Sequence, residues 1–123
     1  MYQDEVIRHF NNPQNAGKIE NPDGIGTEGD PSCGDFLRIY IQVQNHRISD
    51  IKFEVHGCPA AIATSSVLTE LAQGKTIDEA WEITDEDILD ALGGLPAHKE
   101  HCSNLGANAL QKAIISYIAR SCG

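Results

Sequence analysis

No two cysteines in this chain stand close enough to form a Cys-x-x-Cys pair: Cys33, Cys58, Cys102 and Cys122 are separated by 24, 43 and 19 residues. That spacing excludes a zinc ribbon or a thioredoxin-type redox pair built from local sequence, so any site the cysteines share must be assembled by the fold. Basic residues are scarce too, 9 Lys and Arg against 18 Asp and Glu, for a formal charge of −9. Such a surface repels a phosphate backbone and argues against nucleic acid as a partner. No apolar run approaches the roughly 18 to 20 residues of a membrane-spanning helix. The acidic start, Met1-Tyr2-Gln3-Asp4-Glu5, lacks the positive and apolar pattern of a secretory signal. No membrane partner is expected, and the cytoplasm is the expected compartment.

What is present suits one soluble globular domain over residues 1–123, with 41% hydrophobic and 22% charged residues. A chain of this size buries roughly two-thirds of its unfolded surface, so it needs no disulfide staples. Repeats, low-complexity tracts and interdomain linkers are absent.

Local patterns predict the elements. Val6, Ile7 and Phe10 share a helical face that Asn11-Asn12-Pro13 terminates. Residues 12–34 are rich in Asn, Pro, Asp and Gly and read as loop, with one short strand around Gly24 to Glu28. Leu37, Ile39, Ile41 and Val43 alternate with polar residues and Tyr40, and after Asn45-His46 the alternation resumes through Ile51, Phe53 and Val55. Two strands joined so tightly should pair antiparallel. Pro59 suits a helix's first turn, and Gly74 stops the helical stretch Ala60 to Gln73. Thr76 to Glu79 and Thr84 to Asp87 each set a hydroxyl three residues before a carboxylate, marking two short helices, the second closed by Gly93-Gly94. Leu105, Ala109, Leu110, Ala113, Ile114 and Tyr117 then predict a long amphipathic helix from about His98 to Arg120. The order argues an α+β fold: a small antiparallel sheet of about three strands packed with helices and closed by the long C-terminal one.

Three cysteines thereby fall at element ends. Cys33 closes the loop ahead of a strand, Cys58 leads a helix after a strand, and Cys102 lies in the first turns of the last helix. A helix N-terminus lowers a thiol's pKa and favours the thiolate that ligates metal and attacks sulfur. A free cysteine is more commonly a small buried hydrophobe. These three are flanked by Gly, Pro, Asp and His rather than set in the apolar stripes, which speaks for reactive sulfur.

The stretches Pro31-Ser32-Cys33-Gly34-Asp35, Gly57-Cys58-Pro59-Ala60-Ala61-Ile62-Ala63-Thr64-Ser65-Ser66 and Lys99-Glu100-His101-Cys102-Ser103 resemble the three cysteine motifs of the IscU/NifU-type iron–sulfur cluster assembly scaffolds. The opening His9-Phe10-Asn11-Asn12-Pro13-Gln14-Asn15-Ala16-Gly17 is similar to that family's start, so the resemblance covers nearly the whole chain. It implies an α+β scaffold, not a turnover catalyst, that receives sulfur from a cysteine desulfurase, assembles a transient [2Fe–2S] cluster from iron and sulfide, and passes it to apo iron–sulfur acceptor proteins. Cys33, Cys58 and Cys102 would bind cluster or metal, together with Asp35 and His101. Thiolates suit iron–sulfur clusters, and two tetrahedral irons need four terminal ligands, so three cysteines leave one place for Asp35, His101 or a partner's cysteine. In the family the residue matching Asp35 is associated with cluster lability, as suits a hard oxygen donor on a cargo that must leave. Cys102 is the candidate persulfide acceptor, and Lys99 could neutralise thiolate charge. A homodimer around the cluster is a further expectation. Cys122 matches no family cysteine and is given no ligand role; His9, His46, His56 and His98 are read as surface residues.

Two departures bear on partners. Leu95-Pro96-Ala97-His98-Lys99 only partly resembles the Leu-Pro-Pro-Val-Lys stretch by which bacterial scaffolds engage an Hsp70-type chaperone. The 43 residues between Cys58 and Cys102, with His101 before the latter, differ from the SufU-type zinc-dependent sulfur acceptors, which carry an insertion there and lack that His. The expectation is a single scaffold domain without the further domains of full-length NifU proteins. The competing readings are a zinc-bound sulfur-transfer protein using the same Asp, Cys and His ligands, and a thiol hydrolase. The hydrolase would lack a clear His–acid orienting pair and leave two cysteines unexplained.

Overall fold

The computed structural model describes residues 4–29, 36–57, 59–95 and 101–122. In chain order these form α1 (Asp4–Asn11), β1 (Gly24–Gly29), β2 (Phe36–Gln44), β3 (Arg47–His56), α2 (Pro59–Ala72), α3 (Ile77–Trp81), α4 (Asp85–Leu92) and α5 (His101–Cys122). The three strands make one antiparallel sheet in the order β1-β2-β3, the α+β arrangement expected. Among the described residues no helix is long and apolar enough to cross a membrane.

The β2–β3 connection is a two-residue turn, with Gln44 paired to Arg47. Asn45 (φ 53°) and His46 (φ 63°) are both left-handed, as the hairpin turn compatible with strand twist requires. Alternation puts Leu37, Ile39 and Ile41 of β2 and Ile51 and Phe53 of β3 in the core with Leu68 of α2 and Leu110 and Ile114 of α5, and a register shift opposite Gln42 and Val43 brings Ile48 into the same core. Phe36 and Tyr40, on the other face, are buried as well. Tyr40 stands between Ile25 and Lys52 in the register and donates its hydroxyl proton to Glu54, which a strictly alternating pattern does not reveal.

Both short helices start as their sequences predict. Thr76 accepts from the Glu79 amide at 3.1 Å and Thr84 from the Asp87 amide at 3.3 Å, and each acidic side chain returns to the cap's own N–H. Gly93 (φ 78°) ends α4 in the left-handed conformation. Residues 98–100, the expected start of the last helix, lie outside the described residues, and α5 is described from His101.

Two expectations need correction. The apolar trio of α1 is not its buried face: Val6 and His9 are buried, whereas Ile7 and Phe10 are exposed. His9 is therefore no surface residue, for a reason given below. The loop before β1 also contributes to the sheet: Gly17 N–H donates to Phe53 O (2.8 Å) and Phe53 N–H to Asn15 O (3.1 Å), a short parallel bridge along the edge of β3. No period of two marks this segment, because a bridge this short has no alternating face.

The packing of β1 on α5 depends on the absence of side chains. A Cβ at Gly24 would stand 2.3 Å from Ala113 O, and one at Gly26 2.0 Å from Ala109 O. The α5 backbone thus lies directly on the strand. Gly26→Ala should force helix and strand apart and destabilise the fold by about 1–3 kcal/mol or more, the range for overpacking. Urea unfolding measures this; an unchanged midpoint would show that α5 can shift at little cost.

Candidate functional site

β2 begins at Phe36, directly after Asp35 and three residues after Cys33. β3 ends at His56, two residues before Cys58, and α2 begins at Pro59, the next residue after it. The first turn of α5 contains the backbone of His101 and Cys102. Cys33, Asp35 and Cys58 themselves lie outside the described residues, as do Lys99 and His98, and His101 and Cys102 are described in backbone only. The structure therefore reports on what flanks each candidate.

Those flanks meet. Phe36 pairs with His56 across the strands, and their rings stack with centroids 6.0 Å apart. The Arg38 guanidinium lies 5.1 Å from the Phe36 centroid on the same outer face. At this end of the sheet a narrow cleft is lined by Phe36 and Leu37 of β2, Val55 of β3, Ala61, Thr64 and Ser65 of α2, and Leu105 of α5. The start of β2, the end of β3 and the starts of α2 and α5 thus come together at one end of the sheet. Cys122 ends α5, 20 residues after Cys102, a separation of about 30 Å along a helix axis. Among the described residues no group of three or more His, Cys, Asp or Glu side chains could hold a metal.

α2 is held in place by hydroxyls that the sequence reading passed over. Thr64, Ser65, Ser66 and Thr69 are fully buried. Thr64 and Ser65 donate back to Ala61 O at 3.0 and 2.8 Å, within the first turns of the helix. Ser66 Oγ accepts from the Gln14 amide (2.8 Å) and meets His9 Nδ1 at 2.7 Å. Thr69 Oγ1 donates to Ser66 O (2.7 Å) and accepts from Asn15 Nδ2 (3.1 Å). The signal available in advance was four hydroxyls within six residues, 64–69, of a helix that is otherwise apolar apart from Glu70.

This network explains the correction at His9. Its ring is 1% exposed, with Nε2 3.3 Å from Glu70 Oε1 and 3.2 Å from Arg8 Nη2. Polar partners on α2 compensate for burying an imidazole where Ile7 and Phe10 would find none. His46 and His56 are exposed, as expected.

With that geometry established, comparison with known proteins decides the family. Residues 1–122 match the NifU-like N terminal domain. The chain belongs to that family. It is 58% identical over 121 residues to the iron–sulfur cluster assembly scaffold protein IscU 1 of Archaeoglobus fulgidus, a match covering 98% of this chain and 79% of that protein. It is 45% identical over 121 residues to the scaffold protein IscU of Aquifex aeolicus, covering 97% and 77%. A solved structure from Fervidobacterium islandicum AW-1, named for the SUF system (FiSufU), superposes with a TM-score of 0.75 at 25% identity over 92% of this chain and 96% of that one. The fold is thus shared with a protein named for the SUF system.

His9 also gives the NifU-like domain a pH dependence. Burial holds its pKa below the ordinary 6.5, against the opposing pull of Glu70. Below pH 6.5 the unfolded chain takes up a proton that the folded chain refuses, so stability falls with pH until the folded-state pKa is passed. Glu5 and Glu79, lowered from 4.5 by the Arg8 side chain and the Thr76 amide respectively, act only in more acid solution. The urea midpoint should drop between about pH 7.5 and 5.5, and His9→Gln should flatten that dependence. An equal slope in the variant would assign it to other groups.

Proposed function

We propose that this chain is an iron–sulfur cluster assembly scaffold whose cargo, a [2Fe–2S] cluster, is bound by Cys33, Cys58 and Cys102, with Asp35, His101 or a partner's cysteine completing the set. The observation that carries this reading is the meeting of four element ends at one end of the sheet. Chain connectivity keeps each candidate within three residues of one of those ends. The donor chemistry suits the cargo. Three thiolates are soft ligands for iron, and one oxygen or imidazole donor leaves a weaker fourth contact. The relatives' names supply the same role, including that of a protein 58% identical to this one.

As a scaffold the chain takes sulfur from a cysteine desulfurase and gives up the assembled cluster to apo-proteins. Neither step requires it to turn over a substrate of its own.

Anaerobic reconstitution with iron and sulfide tests the binding claim through visible absorption and metal analysis. Cys33→Ala, Cys58→Ala and Cys102→Ala should each abolish a stable cluster, whereas Cys122→Ala, at the far end of α5, should load like the wild type. Full loading of Cys58→Ala would sink the assignment, and retained zinc without cluster absorption would favour a zinc-bound sulfur-transfer role.

Release tests the function of Asp35. A hard carboxylate oxygen holds iron less firmly than thiolate, and a carboxylate admits water to the cluster rim. Asp35→Ala should slow transfer to an apo-ferredoxin by about tenfold, about 1.4 kcal/mol in the barrier. The rate is followed by absorbance after anaerobic mixing. Equal or faster transfer by the variant rejects the lability role.

A further inference from the structure

At the other end of the molecule lies an open groove of about 280 Å³ between α3 and α5, lined by Ile77, Asp78, Trp81, Ile114, Ile115 and Ile118. Ile77 and Ile114 are its buried floor, while Trp81, Ile115 and Ile118 are 40%, 52% and 45% exposed. Exposure of one large apolar side chain is ordinary, but a Trp and two Ile gathered on one concave surface mark an interaction site. The groove's place in the fold is well defined. α3 is tied to the β2–β3 turn by Ile77 N–H donating to His46 O (3.0 Å), and that turn is the sheet end opposite Phe36 and His56. Ile115 and Ile118 follow Cys102 by 13 and 16 residues on α5, about 20–24 Å along the axis. An occupant would leave the cysteine end open.

The charges around the groove indicate what fills it. Residues 77–92, which include α3 and α4, carry seven Asp and Glu and no Lys, Arg or His. Asp78 lines the groove with an exposed carboxylate, 3.5 Å from His46 Nε2, and Glu82 follows four residues on and is exposed. The cations of α5 are turned to the opposite side. Lys112 reaches Thr27 O (3.4 Å) and Glu28 (3.0 Å), and Arg120 reaches Pro22 O (2.8 Å). Arg47 donates to Gly74 O (3.1 Å), before α3. A second copy of this chain would bring the same acidic rim against itself, with a formal charge of −9 on each molecule.

We propose that the α3–α5 groove docks a cationic amphipathic helix of a partner protein, its apolar face on Trp81, Ile115 and Ile118 and its Lys or Arg residues against Asp78 and Glu82. This is the helix-in-groove mode, read by anchors at i, i+3 or i+4 and i+7. The inference is independent of what the cysteines bind.

Trp81 is the only tryptophan in the chain, so its emission reports occupancy directly. The probe is a synthetic Leu/Lys amphipathic peptide of about five helical turns, compared with one in which every Lys is replaced by Glu. The Lys peptide should shift Trp81 emission to the blue saturably, and raising the salt from about 0.05 to 0.5 M should weaken binding about tenfold. The Glu peptide should give no shift. Ile115→Ser with Ile118→Ser should abolish the shift, Asp78→Asn with Glu82→Gln should weaken it, and Ile25→Ser, an exposed apolar change on the sheet, should leave it intact. Circular dichroism confirms that each variant is folded. Equal response to both peptides, no response to the Lys peptide, or indifference to the Ile115 and Ile118 changes would overturn the proposal. A concentration-dependent Trp81 shift without peptide, accompanied by dimers in sedimentation that Ile118→Ser dissolves, would overturn it in favour of self-association.

Discussion

The arrangement depends on the direct contact of the α5 backbone with β1. Because Gly24 and Gly26 carry no side chains, helix and strand approach until Ala109 O and Ala113 O occupy the space a Cβ would need. That contact sets the height and direction of a 22-residue helix over the sheet. Its first turn comes to lie beside the starts of β2 and α2, and its last half beside α3. An ordinary strand residue at either glycine would lift α5 and move both ends of the molecule together, since packed interiors transmit displacement rather than absorb it.

α2 is positioned by different chemistry. Its hydrophobic residues face the sheet, but its depth and rotation are specified by directional bonds from Ser66 and Thr69 to α1 and the loop after it. Apolar packing tolerates sliding at small cost, whereas a buried hydroxyl deprived of its partner costs about 1–3 kcal/mol. The helix that follows Cys58 is thus held by polar contacts on one side and by close packing on the other. The residues that flank the cysteines on β2, β3 and α2 thus belong to the packed frame of the domain.

The two ends of the domain differ in composition as well as geometry. At one, the ends of β2 and β3 and the starts of α2 and α5 converge, with Arg38, Phe36 and His56 stacked on the outer face. At the other, an apolar groove is bordered by acid-rich short helices. α5 joins them as one continuous helix.

The sequence by itself determined the element types and most of their limits, because those rest on local physics. Alternation in β2 and β3, the two capping boxes, Gly93 at the end of α4 and Pro59 at the start of α2 each involve residues within a few positions of one another. The three cysteine motifs were legible for the same reason, each a short contiguous stretch resembling a family pattern. Only the tertiary structure decided which face of α1 is buried, that residues 15–17 pair with the edge of β3, that Phe36 and Tyr40 are enclosed on the outer face, and that Trp81, Ile115 and Ile118 meet in one groove. Each depends on partners far away along the chain: His9 on Ser66, Asn15 on Phe53, Trp81 on Ile118. Periodicity measures a side chain's fit to its own element, and it carries no information about a hydrogen bond or a contact that exists only once two distant segments have been brought together.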